Sequence, residues 1–247
     1  MKTPALEGEV RWPKVRTADD AVRFIDAMGF CLLFPIRGLG LPSLYYAVAR
    51  RAIELGPGWD SYCELVWRWK DELPRRRRAF YAKYLRGRGT FISLRLLPHF
   101  VACEATAAGI ADYERFYAGG RISADGKAIW QALADHGPLA TLELRHACKM
   151  DSTAGNPRFK HAMLELQRLL LVVHFGAEQE TAAWASGRFE LTARAFPRQV
   201  ATARRVTPEQ ARRAIAQKYL SRHPGAAPRL LARLFGWSTA EAQAACP

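Results

Sequence analysis

The turn Arg86-Gly87-Arg88-Gly89 carries a sharp chemical signal. Glycine lets a backbone approach a phosphate closely, and the guanidiniums beside it can grip the phosphate oxygens through paired N–H groups. A second basic set is Arg158, His161 and Arg168. These three share the outer face of a helix whose inner face is apolar, which is how a helix meets base edges or phosphates in a major groove. His161 also fits a plain solvated position. The tetrad Arg75-Arg76-Arg77-Arg78 concentrates four charges that one helix face cannot present together. It reads equally as an electrostatic contributor to phosphate binding or as a solvated ridge.

Other chemistry is thinner. Asp60, Glu64 and Glu104 are available as general bases, but the sequence singles out none of them. The aromatic set Trp59, Trp67, Trp69, Phe80, Tyr81 and Tyr84 suits stacking on an unpaired base, although its helical spacings favour a core. Cys31, Cys63, Cys103, Cys148 and Cys246 are scattered, odd in number and without a CxxC pair. They are expected as reduced thiols, neither a zinc site nor a disulfide frame. The six histidines are dispersed, so no metal is expected. With no Gly-rich phosphate loop and no nucleophile elbow, no cofactor is expected either.

Charge points to the partner. Lys plus Arg number 37 against 23 Asp plus Glu, a net +14 over 247 residues. Such a field attracts phosphate polyanions and makes binding steeply salt-dependent. Double-stranded DNA, intact or damaged, is the expected partner, ahead of an acidic protein or a membrane surface. No apolar run reaches the roughly 18 residues that span a bilayer. The opening MKTPALEGEVRWP lacks the apolar stretch of a signal peptide, so a cytoplasmic protein is expected. A hydrophobic share of 49% supports an ordinary core in one or two domains, and a monomer is expected.

The elements that must position these residues predict a mostly helical α+β protein of tandem winged-helix (helix-turn-helix) architecture. Residues 123–200 read as one winged helix. Ser123 caps a first helix with Ile129, Leu133 and Ala134 inside and Gly137 as its stop. An extended link at 138–140 precedes a second helix, capped by Thr141 and running to Met150. A turn at 151–155 and the pair Asn156-Pro157 open the third helix. Phe159, Met163, Leu166 and Leu170 line its inner face, while Arg158, His161, Glu165 and Arg168 stay outside. Strands over 171–175 and 189–195 enclose a wing at 176–187.

Residues 1–16 read as an extension and 17–108 as a helical unit compatible with a second winged helix. Thr17-Ala-Asp-Asp20 opens a helix with Ala21, Phe24, Ile25 and Met28 inside and Gly29 as its end. An apolar run at 30–34 and a breaker-rich loop at 35–42 follow, then helices over 43–55 and 61–72. Pro74 is expected to interrupt before a helix through Tyr84, a strand at 90–94 and a helix over 98–108. Residues 109–122 read as a connection. In 201–247, Thr207-Pro-Glu-Gln210 starts a helix to Leu220, and a helix-turn-helix pair begins at Pro228. That pair fits two short core-capping helices, or a third winged helix truncated before its recognition helix.

The segments GFCLLFPIRGLGLPSLYYAVAR, FYAKYLRGRGTFISLRLLPHF and GPLATLELRHACKM with RFKHAMLELQRLLLVVHFG resemble the bacterial AlkZ/YcaQ-like winged-helix proteins, and more narrowly their AlkZ-related branch. The resemblance spans about Thr17 to Leu220. It implies tandem winged helices around a DNA-sized concave channel. It also implies kinship with DNA glycosylases that remove alkylated purines, some of which unhook interstrand crosslinks. Those enzymes carry a polar pair, Gln-x-Gln or Gln-x-Asp, which handles the attacking water. Aligned on Gly29-Phe30, that motif falls on Leu32-Leu33-Phe34. Neither side chain at the motif's polar positions can orient water or accept a proton.

The sequence supports three readings. The first is a non-catalytic DNA-binding relative of the glycosylases. The second is an active glycosylase in DNA repair, with a carboxylate elsewhere replacing the lost pair. The third is a winged-helix transcriptional regulator with Cys31 as sensor thiol, against which the apolar run around Cys31 argues.

Overall fold

The computed structural model describes residues 12–36, 39–50, 58–179 and 185–246. The first half runs α1 (Ala18–Met28), β1 (Phe30–Leu32), α2 (Leu44–Ala49), α3 (Ser61–Arg75), β2 (Phe80–Lys83), a single 3-10 turn (Leu85–Gly87) and β3 (Gly89–Ile92). Next come α4 (Leu97–Cys103) and α5 (Tyr113–Ala118). The second half runs α6 (Ala124–His136), β4 (Leu139–Ala140), α7 (Thr141–Ala147), α8 (Gly155–Arg168), β5 (Val172–Glu178) and β6 (Ser186–Leu191). It is followed by α9 (Thr192–Ala195), α10 (Pro197–Ala203), α11 (Pro208–Leu220), α12 (Pro228–Phe235) and α13 (Thr239–Ala245). The protein is thus a mostly helical mixed α/β fold with two small antiparallel sheets among the described residues.

The two halves share one topology. Each runs helix, strand, helix, helix, strand, strand, and in each the last strand lies between the other two: β1-β3-β2 and β4-β6-β5. The element pattern of the first half is compatible with such a repeat but does not compel it. Strand pairing makes it explicit.

Caps fix where the main helices begin. Thr17 accepts from the Asp20 N–H while the Asp20 carboxylate accepts from the Thr17 N–H, and Gly29 at φ 81° ends α1. Thr207 and Gln210 make the same reciprocal cap on α11. Ser123 Oγ accepts from Gly126 N at 3.0 Å and starts α6.

Strand alternation divides the first sheet between two cores. Phe80, Ala82 and Ile92 join Phe30, Phe100, Ile215 and Leu231 on one side. Cys31, Tyr81 and Phe91 join Phe24, Ile25 and Trp69 on the other. A third core gathers Ile129, Trp130, Leu144, Phe159, Leu166 and Val172. Because α11, α12 and α13 supply part of the first core, the C-terminal helices are integral to that core.

Several boundaries differ from expectation, each for a local reason. Residues 80–83 form a strand and not a helix, because Phe80 and Ala82 face one core while Tyr81 faces the other. α3 carries on through Pro74, since a proline in the last turn forfeits only one hydrogen bond. Thr141 is not the cap of α7: Ala140 holds that position, Glu143 accepts from its N–H at 2.8 Å, and the Thr141 hydroxyl donates to Gly187 O. α8 begins at Gly155, where Ser152 Oγ accepts the Gly155 N–H at 3.0 Å, so Asn156 is already inside the helix. The strand expected over 189–195 ends at Leu191 and turns into α9.

The stretch 109–122 contains α5, packed on α6 with Phe116 and Trp130 centroids 5.2 Å apart. The helix expected over 98–108 stops at Cys103, and Ala105 takes φ 52°. α2 ends at Ala49 with Arg50 left-handed at φ 63°; the rest of the helix expected over 43–55 lies outside the described residues. So do 180–184 in the expected wing and 1–11 of the expected extension.

Candidate nucleic-acid interface

A cleft of about 490 Å³ opens where the two halves meet α12. The 3-10 turn contributes Arg86 above Tyr84 and Leu85, the end of α4 contributes Glu104, and α8 contributes Arg168 with the adjoining Leu169. Arg233 and the turn at Gly236 close the far side. Backbone conformation explains the placement. Arg86 and Gly87 lie at φ 52° and 71°, so the chain turns sharply between β2 and β3 and lifts Arg86 to the rim. Gly89 is required beside this turn, because a Cβ there would meet Tyr81 Oη at 2.3 Å. Arg86 Nη1 donates to the Arg233 carbonyl at 3.1 Å and ties the turn to α12.

Glu104 is the carboxylate of this cleft. Tyr84 Oη donates to its Oε1 at 2.6 Å, and Arg121 donates to its main-chain oxygen at 2.8 Å. Its Oε2 takes no hydrogen bond from the described residues. Burial raises the Glu104 pKa above the ordinary carboxylate range, against the Tyr84 hydrogen bond and the charges of Arg121 and Arg212. The other two candidate carboxylates are placed differently. Asp60 caps α3, accepting from Cys63 N at 2.7 Å and from Tyr45 Oη at 2.9 Å, and Glu64 sits on the exposed side of α3.

The predicted basic residues divide. Arg86 and Arg168 meet at the cleft although 82 positions separate them, while Arg88 is exposed just beyond the turn. The Arg168 guanidinium has no hydrogen-bond or ion-pair partner among the described residues. Arg158 and His161 are exposed on the same helix, and Arg158 is some 15 Å from Arg168 at about 1.5 Å per residue. Arg158 forks onto Asp125, with Nε donating to Oδ2 at 2.9 Å. In the tetrad, Arg76 pairs with Glu72 at 2.9 Å and Arg78 pairs with Asp19. Arg77 Nε donates to Ala195 O at 2.9 Å, and its guanidinium lies over Phe175. Arg75 is exposed, its stem alongside Gly176.

Leu32 and Leu33 are buried, and Phe34 stacks on Trp67 with centroids 6.4 Å apart. The aromatic set splits. Trp69, Phe80, Tyr81 and Tyr84 are core, whereas Trp59 and Trp67 are 46% and 38% exposed. Cys31 is fully buried and its thiol pKa is driven up by that burial, which suits an inert core residue better than a sensor.

Three participants were not singled out by the sequence for the roles the structure gives them. Arg233 looks like any arginine on an amphipathic helix. Tyr84 is hidden among aromatics at core spacings. The group of buried Lys70 and His174 with half-buried Asp71, which joins α3 to β5, is split by more than a hundred residues of chain. No group of His, Cys, Asp and Glu among the described residues is placed to hold a metal ion. No helix among them is long and apolar enough to cross a membrane.

No curated protein and no solved structure matches this chain. The AlkZ-related family model matches residues 15–236, a span that takes in both sheets and every residue of the cleft. The chain belongs to the AlkZ-related family.

Proposed function

We propose that this protein binds duplex DNA across the face that carries the cleft, with Arg86, Arg88, Arg168 and Arg233 on the phosphates and Arg158 and His161 further along α8. The observation that carries the proposal is the meeting of Arg86, Arg168 and Arg233, from three distant parts of the chain, around one cleft. Residues 17–108 and 123–200 act as tandem winged helices in this reading. Their shared element and strand order supports it. α8 is then a recognition helix, with its basic face toward the groove. The tetrad Arg75 to Arg78 contributes field, and three of its members also brace the fold.

A second reading, removal of a damaged base, draws on Glu104. It is the carboxylate that lines the cleft, and its raised pKa suits a general base or acid. Single-turnover incubation with duplex DNA carrying N7-methylguanine, with binding followed across a salt series, tests both. Salt-dependent binding without base release supports the binding protein. Release abolished by Glu104→Ala supports the enzyme, and no binding at any salt overturns both.

A further inference from the structure

We propose that the cleft seats one nucleotide unit whose base bears an exocyclic amine, with its phosphate on Arg86 and Arg168 and its amine on Glu104 Oε2. This deepens the DNA-binding reading and rests on it for the extruded form of the ligand. Two complementary groups line the same cleft without pairing with one another. Arg168 has no partner among the described residues, and Glu104 Oε2 accepts no hydrogen bond from them. A ligand carrying an anion at one end and N–H donors at the other satisfies both, and a nucleotide with an adenine or cytosine base is such a ligand. A volume of about 490 Å³ lies within the range of small-molecule sites. Tyr84 fixes the sense of recognition. Its hydroxyl occupies Oε1 at 2.6 Å, so the carboxylate is held with one oxygen committed and the other without a hydrogen bond from the described residues.

The same geometry makes Glu104→Gln a specificity switch. The amide oxygen keeps the Tyr84 hydrogen bond, and the position of Oε2 becomes an NH2 donor, which suits a carbonyl-bearing base.

The experiment measures binding of the full chain to duplexes with a single unpaired adenine or an unpaired thymine, and to the fully paired duplex. A parallel arm titrates free AMP and UMP. The expected result is about tenfold preference for adenine over thymine, the worth of one hydrogen bond to a charged group, and its loss or reversal in Glu104→Gln. The paired duplex serves as the reference in each protein, so the quantity compared is the ratio of adenine to thymine affinity within wild type and within Glu104→Gln. Preference for AMP over UMP without preference among duplexes assigns the cleft to free nucleotides and upholds its chemistry. Discrimination between the nucleotides with no duplex bound leaves this inference standing and removes the DNA-binding reading. Duplex binding without discrimination in either arm, or an unchanged preference in Glu104→Gln, overturns the inference.

Discussion

His174 of β5 donates its Nε2–H to the Asp71 carboxylate of α3, so the second sheet is hydrogen-bonded to the last turns of a helix from the first half. Asp71 can only accept, which places the proton on Nε2. Lys70 Nζ, 3.2 Å from that nitrogen, therefore bonds the carboxylate and not the ring. Trp67 covers the ammonium at 4.3 Å. Burial, above all, lowers the His174 pKa below its ordinary 6.5, with the hydrogen bond to Asp71 opposing. Burial works against the Asp71 carboxylate too, but His174 and Lys70 outweigh it and hold its pKa below the usual value.

A pH dependence of stability follows from His174. The unfolded chain takes up the histidine proton at a higher pH than the folded one does. Stability therefore rises with pH through the region just below 6.5 and is lost as pH falls through it. The slope from this residue is at most about 1.4 kcal/mol per pH unit. Urea unfolding at pH 7.5 and 5.5 should show wild type losing more stability than His174→Gln, which keeps a donor for Asp71. Equal losses in the two proteins would remove His174 from the balance.

Asp71→Ala should be the most damaging of the single changes at this junction. It leaves a nearly buried ammonium without its counter-charge and His174 without its acceptor. Breaking such a pair costs about 3 kcal/mol, at the low end for buried pairs because Asp71 keeps 22% side-chain exposure. The denaturation midpoint reads this directly. A loss under about 1 kcal/mol, the range of surface pairs, would mean that the three groups are solvated in solution.

How much of this was legible in the sequence depends on the range of the interaction involved. The caps at Thr17, Ser123 and Thr207 were readable because the donor and acceptor lie within three residues of each other. The inner face of α8 was readable from spacing alone, with Phe159, Met163 and Leu166 buried in the third core, whereas Leu170, expected on that face, lies past the helix end at φ 56° and packs in the first core. Residues 80–83 were misread because aromatic residues suit a helix face and a strand equally until pairing with β3 decides between them. At the cleft, Arg86 and Arg168 were named from charge and turn chemistry, while Arg233 and the choice of Glu104 over Asp60 and Glu64 required tertiary placement. Side chains brought together by packing leave no local trace.

The Tyr84–Glu104 pair predicts opposite effects for two conservative changes. Glu104→Gln removes a carboxylate whose ionised form burial disfavours, and it keeps an acceptor for the tyrosine. A raised pKa means the folded state favours the protonated carboxyl, so this group's contribution is lost as pH rises above its ordinary 4.5. The variant should therefore melt higher than wild type at pH 7, with the gap closing toward pH 4. Tyr84→Phe strips the hydrogen bond from a buried carboxylate and should cost about 1.5–3 kcal/mol at pH 7. Thermal melts across that pH range check both. A lower melting temperature for Glu104→Gln at pH 7 would show that the carboxylate is well solvated or paired in solution.

Duplex binding should divide the arginines by their location and not by their charge alone. Each phosphate contact contributes about 0.9 to the slope of log K against log salt. Arg86→Ala with Arg168→Ala should then flatten that slope by about 2 and weaken binding most at low salt. Arg158→Ala together with Arg168→Ala should flatten it by less, because Arg158 already forks onto Asp125 and must break that pair to reach a phosphate. Asp125→Asn offers the complementary control: with its carboxylate gone, Arg158 is released and affinity should rise. Fluorescence anisotropy on a short duplex from 50 to 200 mM salt reads all of these, in the range where the counterion term is steep. If the Arg86/Arg168 pair leaves the slope unchanged while Arg158→Ala lowers it, the DNA runs along the middle of α8 and leaves the cleft untouched.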